Sequence, residues 1–150
     1  MNDTSFKDAC RSGYLIVAQQ LYSLIPKDMC ERVDKERLFI QTCENGHLGV
    51  AKWLYTLIPK DVRDLIDIEY IFTQVCINNY LEVAKWLYSL EGVIDIHINE
   101  EYIFGQACIK GYLPLAQWLY SLEDVDIYAE ENDVFNYSPP DVLEWLETLH

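Results

Sequence analysis

Two kinds of helical segment alternate along this chain, distinguished by the width of their apolar arc. At about 100° per residue, Leu15, Val17, Ala18, Leu21, Tyr22 and Leu24 spread over much more than half a helix, leaving only positions 16, 19 and 23 for water. Such a helix needs neighbours on both sides. The segment before it is narrower: Phe6, Ala9, Cys10 and Gly13 cluster on one arc, while Lys7, Asp8, Arg11 and Ser12 fall on the other. This predicts a half-exposed first helix in front of a buried second one.

The pair then repeats. Phe6, Phe39, Phe72 and Phe104 recur at a nearly constant interval, and Cys10, Cys43, Cys76 and Cys108 keep the same one. The second helix reads A-x-x-L-Y-[ST]-L in four copies, starting at Ala18, Ala51, Ala84 and Ala116. A fifth copy, Val142 to Leu149, follows too soon, because Trp145 comes after Trp118 at less than the full interval. Its first helix must be abbreviated, with Pro140 in the first turn of the last helix, where a missing N–H is harmless. The pattern predicts one all-α domain over residues 1–150, with units at about 4–36, 37–69, 70–101 and 102–128 and a C-terminal cap at 129–150.

The connectors are of two kinds. Ile25-Pro26-Lys27-Asp28 and Ile58-Pro59-Lys60-Asp61 leave room for an extra helical turn, whereas residues 93–98 and 125–128 alternate like extended chain. Polar residues at both ends, Asp3, Lys7, Asp8, Gln19 and Gln20 at one and Asp141, Glu144, Glu147 and Thr148 at the other, lead to the expectation of a capped, complete monomer.

The string G-[HY]-L-x-[VL]-A-x-x-L with a period near 33, seen at Gly13-Tyr14-Leu15, Gly46-His47-Leu48 and Gly111-Tyr112-Leu113, resembles the ankyrin repeat over essentially the whole chain. Val83-Ala84-Lys85-Trp86-Leu87-Tyr88-Ser89-Leu90 looks most like the ankyrin proteins of giant DNA viruses that infect amoebae. The resemblance implies a helical solenoid that binds a protein, a host factor if the chain is viral. The chain departs from the family at its T-P-L-H opening, which here reads Thr4-Ser5-Phe6-Lys7, Arg37-Leu38-Phe39-Ile40, Tyr70-Ile71-Phe72-Thr73 and Tyr102-Ile103-Phe104-Gly105. The hydrogen bonds of that opening therefore have to come from elsewhere.

Charge narrows the partner. With 25 acids against 11 bases, the net charge of -14 repels nucleic-acid phosphates and anionic membranes, so a protein partner with a basic or neutral segment is expected. No basic-then-apolar leader opens the chain, and no apolar run reaches the roughly 18 residues of a membrane span. Five cysteines without such a leader point to the cytoplasm, that of the host for a viral protein.

Candidate chemistry is sparse. The four in-register cysteines occupy a small-residue packing position, and helix spacing of about 8–10 Å sets equivalent atoms too far apart for disulfides. Cys30 lies outside that ladder and is the thiol expected to be accessible. His47 takes a slot filled elsewhere by tyrosine, and His97 and His150 lack metal-ligand spacing. No phosphate-loop, dinucleotide, zinc-hydrolase or serine-nucleophile motif occurs, and Glu100-Glu101 and Glu130-Glu131 are pairs expected by chance among so many acids. No catalytic residue, metal or cofactor is assigned.

Trp53, Trp86, Trp118 and Trp145 share one position, and Tyr22, Tyr55, Tyr88 and Tyr120 another. Either tryptophans of one unit pack on tyrosines of the next, or the two rows form an outer aromatic stripe that docks a partner. Outward-facing first-helix positions are Lys7, Asp8, Arg11 and Ser12, then Ile40, Gln41, Glu44 and Asn45, then Thr73, Gln74, Ile77 and Asn78, then Gly105, Gln106, Ile109 and Lys110. The family's contact positions, carried over, fall on Glu44, Asn45, Ile77, Asn78, Ile109 and Lys110, with Glu36, Glu69 and Glu101 as an acidic rim. The expected function is non-catalytic binding of a basic segment on an acidic, isoleucine-centred concave face. A structural or self-assembling role is the alternative.

Overall fold

In the computed structural model of the chain, residues 3–90, 100–122, 125–128 and 133–149 are described. The connector at 93–98, and with it His97, lies outside them, as does His150. Every regular element among the described residues is a helix. The chain divides into two compact units, Met1–Ile71 and Phe72–His150.

In the first unit, α1 (Asp3–Arg11) packs on α2 (Leu15–Leu24), and α4 (Lys35–Glu44) on α5 (Leu48–Leu57). The two pairs then stack, α1 on α4 and α2 on α5. Short helices α3 (Lys27–Arg32) and α6 (Lys60–Arg63) occupy the two I-P-K-D connectors, with Pro26 and Pro59 as N-caps. The extra turns are thus present. Helix α7 (Ile68–Ile77) begins in this unit and ends in the next.

The second unit adds α8 (Leu81–Tyr88), α9 (Glu100–Ile109), α10 (Leu113–Leu122), α11 (Val134–Tyr137) and α12 (Pro140–Glu147). Helix α9 packs on α10, and α11 on both α9 and α12. The short α11 is the abbreviated first helix, and Pro140 sits in the first turn of α12 as its missing N–H requires. Residues 125–128 are not extended: Ile127 is buried, and the Tyr128 N–H donates to Asp126 Oδ1 at 2.9 Å in a tight turn.

The same device ends each full-length first helix. Gly13, Gly46 and Gly111 adopt φ of 78°, 77° and 76°, and Asn79 takes the slot at 63°. The following N–H groups reach back along the helix, Tyr14 to the Ala9 carbonyl at 3.0 Å and Tyr112 to that of Ala107 at 2.8 Å, closing a Schellman turn. Start signals are supplied by aspartate. Asp34 Oδ1 accepts from the Arg37 N–H at 2.9 Å, and Asp67 Oδ1 from the Tyr70 N–H at 3.0 Å, each capping the start of its first helix.

Burial follows the predicted arcs. The phenylalanine and cysteine rows lie in the core, and the exposed second-helix positions are 16, 19 and 23 and their counterparts, such as Glu82, Lys85 and Ser89. The first unit is an exception at its leading edge. Val17 is 45% exposed where Val50 is 1%, and Tyr14, Ile16 and Leu24 are exposed as well. Helix α5 has α2 packed against it, on the side that corresponds to this exposed edge of α2. The edge expected to be polar is therefore partly apolar.

Candidate functional site

The aromatic rows interlock across successive helix pairs within each unit. Trp53 stands edge-on to Tyr22 at 5.5 Å and to Phe6 at 6.2 Å. Trp118 meets Tyr88 at 5.8 Å and Phe72 at 6.2 Å, and Trp145 meets Tyr120 at 5.9 Å and Phe104 at 6.3 Å. Each tryptophan so described packs on the tyrosine of the preceding pair and is half-buried. This geometry favours quadrupole attraction between ring edge and face. The ends of the rows follow suit: Gln20 replaces tryptophan in α2, and Glu147 replaces tyrosine in α12. The rows work as a fastener between successive helix pairs, and the first helices carry the more open surface.

On that surface in the first unit, two adjoining hollows run along α4 and share Asp34, Arg37 and Gln41. One, of about 390 Å³, is lined by Asp34, Glu36, Arg37, Ile40, Gln41 and Glu44. Three carboxylates there face one guanidinium over a half-buried isoleucine. Glu36 and Glu44, expected from sequence to bind, both line this hollow, about two helical turns apart. Exposed Asn45 is the C-cap of α4, and half-buried Glu69 lies in the first turn of α7. The other hollow, of about 210 Å³ between α1 and α4, is lined by Lys7, Arg11, Asp34, Arg37, Leu38 and Gln41.

In the second unit Ile77 and Ile109 are half-buried and Asn78, Glu101 and Lys110 are exposed. Lys110 Nζ donates to the Ile77 carbonyl at 3.1 Å, placing a cation on the C-terminal turn of α7, where the helix dipole favours it. Asn78 Nδ2 donates back to the Gln74 carbonyl at 2.9 Å. Two of the expected contact residues thus also tie the first-helix ends in place. Gly105, expected to face outward, is buried. The three rim glutamates fall in different units, Glu36 and Glu69 in the first and Glu101 in the second.

The division also separates charge. Residues 1–71 hold nine lysines and arginines against eleven acids, leaving -2, while residues 72–150 hold two against fourteen, leaving -12. The mixed hollows of the first unit were missed in the sequence. Their signal was this uneven placing of the cations, which a whole-chain net charge averages away.

The thiols offer no reactive centre. Cys10, Cys76 and Cys108 are buried, and desolvation pushes each up to about 12, while Cys43 is raised further for the same reason, with Glu44 nearby adding to it. They stay protonated at neutral pH and pack as small apolar groups. Cys30 is only half-exposed, its Sγ 3.5 Å from the Ile25 carbonyl. Sequence position alone suggested a more open thiol, but helix α3 turns it back against the end of α2. His47 lies over Gly13, where an added Cβ would come within 2.5 Å of its Nδ1. No group of three or more potential metal ligands occurs, and no helix is long and apolar enough to cross a membrane, among the described residues.

No family model, curated protein or solved structure matches this chain.

Proposed function

We propose that this chain is an ankyrin-type repeat protein that performs no chemistry and holds a partner protein, through a basic segment, on its first-helix face. The hollow beside α4 carries this reading. Asp34, Glu36 and Glu44 surround Ile40, so a lysine or arginine of the partner would lay its aliphatic stem on the isoleucine and bring its charge to the carboxylates. Glu101, Ile77 and Ile109 offer the same combination of residue types in the second unit, whose -12 charge would speed the approach of a basic chain. The interlocked tryptophans speak against docking on the outer aromatic rows, because a ring already packed on two others has little face left to give.

Fluorescence anisotropy with labelled arginine- and lysine-containing peptides tests the reading. Glu36→Lys with Glu44→Lys is expected to weaken binding at least about tenfold, equivalent to roughly 1.4 kcal/mol. Binding that survives this double change and disappears on altering Trp118 would put the partner on the outer rows instead.

A further inference from the structure

Along α2, Tyr14 at the N-cap, then Val17, Leu21 and Leu24, succeed one another at steps of three and four residues and so form one apolar stripe. Tyr14, Val17 and Leu24 are exposed and Leu21 is half-buried, whereas the same positions of α5, His47, Val50, Leu54 and Leu57, are all buried or half-buried. What covers that side of α5 is α2, a helix of the same kind. The stripe is thus shaped to receive a second helix of this repeat, and on α2 it lies open. Its chemistry narrows the occupant further. No side chain from Leu15 to Leu24 is charged, and the exposed polar groups there are Gln19, Gln20 and Ser23. A basic segment finds no carboxylate on this helix, while a copy of the stripe brings apolar surface to apolar surface and buries no charge. With -2 on residues 1–71 against -12 on residues 72–150, the first unit is also the one that a second copy approaches with least repulsion. Head-to-tail stacking does not fit these ends. Gln20 stands where Trp53 grips Tyr22, and in α12 Glu147 stands where the tyrosine would be, so α2 stacked after α12 would lack the ring contact and face Asp141, Glu144 and Glu147.

We infer that two copies of this chain pair through α2, stripe against stripe about a two-fold axis, so that each copy covers the exposed edge of the other. The contact is small. A ten-residue helix is about 15 Å long, and one such helix on its copy buries less than the roughly 1,200–2,000 Å² of stable complexes, so the pair exchanges with the monomer and fills as concentration rises. Neither hollow on the first-helix surface is lined by a residue of α2. Pairing therefore uses a different surface from the one proposed to hold a partner and stands apart from that reading.

Sedimentation velocity of the full chain over a wide concentration range tests this directly. The average mass is expected to climb from one chain towards two and stop there. Added salt should move the rise to lower concentration, because it screens the repulsion between two chains of net charge -14 and leaves apolar contact untouched. Val17→Glu/Leu24→Glu, which sets like charges on both stripes, should keep the chain at the mass of a monomer over the same range. Leu24→Glu alone changes a side chain that is 61% exposed and should weaken pairing at least about tenfold, with an unchanged circular dichroism spectrum confirming its fold. A parent chain that stays monomeric throughout, an association indifferent to both variants, one that weakens with salt, or a mass that keeps growing past two chains each overturns the two-fold pair.

Discussion

At the residue scale, the left-handed turns decide more than their size suggests. Asn79 holds φ at 63°, where a Cβ is strained and asparagine is better tolerated than other side chains. Asn79→Ala should lower stability by about 1 kcal/mol and Asn79→Gly should raise the melting temperature, both measured by thermal denaturation. Gly13→Ala combines the same strain with a clash against His47. Adding His47→Ala should recover about 1 kcal/mol relative to the sum of the single changes. The buried thiols give a pH signature. Cys10, Cys76 and Cys108 titrate near 12 when folded against 9.0 for an ordinary thiol, so the unfolded chain ionises first on raising pH. Their contribution to stability is complete below about pH 9 and is lost as pH climbs towards 12, at up to about 1.4 kcal/mol per pH unit for each thiol. Urea denaturation of Cys76→Ala beside the parent should show a shallower alkaline decline.

At the element scale, each helix is bounded by short-range signals and joined to its neighbour by rings. Removing the caps with Asp34→Ala or Asp67→Ala should cost about 1 kcal/mol each in chemical denaturation, and asparagine in their place should restore most of it. The Tyr22–Trp53 contact should show a coupling of about 0.5–1.5 kcal/mol in a double-mutant cycle, beyond the area the rings bury. A zero coupling would mean that the rows merely coexist in register. The serine or threonine just before the last leucine of each block fits the same scheme: Ser23, Thr56, Ser89, Ser121 and Thr148 all donate to the carbonyl three positions earlier at 2.6 Å, which satisfies an acceptor in the last turn.

At the scale of the whole molecule, charge is placed unevenly, and each unit offers its own surface. If the carboxylates beside α4 and the acids of residues 72–150 draw in a basic segment, the association rate should fall steeply as salt rises. Between about 0.01 M and 1 M the screening length shrinks from about 30 Å to about 3 Å. Stopped-flow fluorescence would record this, with a dissociation rate that changes far less. An association rate indifferent to salt would locate the affinity in apolar contacts, with the exposed edge at Tyr14, Val17 and Leu24 the first place to look.

The sequence by itself determined which helices form and, apart from Gly105 and the exposed edge at Val17 and Leu24, which of their sides are buried. Period, arc width and the positions of proline are local properties, and the repeat interval could be counted from Phe6 onwards without a structure. It also carried the fastener between aromatic rows, because matched positions in stacked pairs must meet. The tertiary structure alone decided what the first-helix surface presents. Lys7 and Arg37 are distant in the chain and share one hollow, whereas Glu36 and Arg37 are adjacent and help to set hollows of opposite sign. A repeat pattern records what each unit has in common, namely its packing. A binding surface is made from the positions at which the units differ, and their charges take on meaning only where neighbouring helices bring them together.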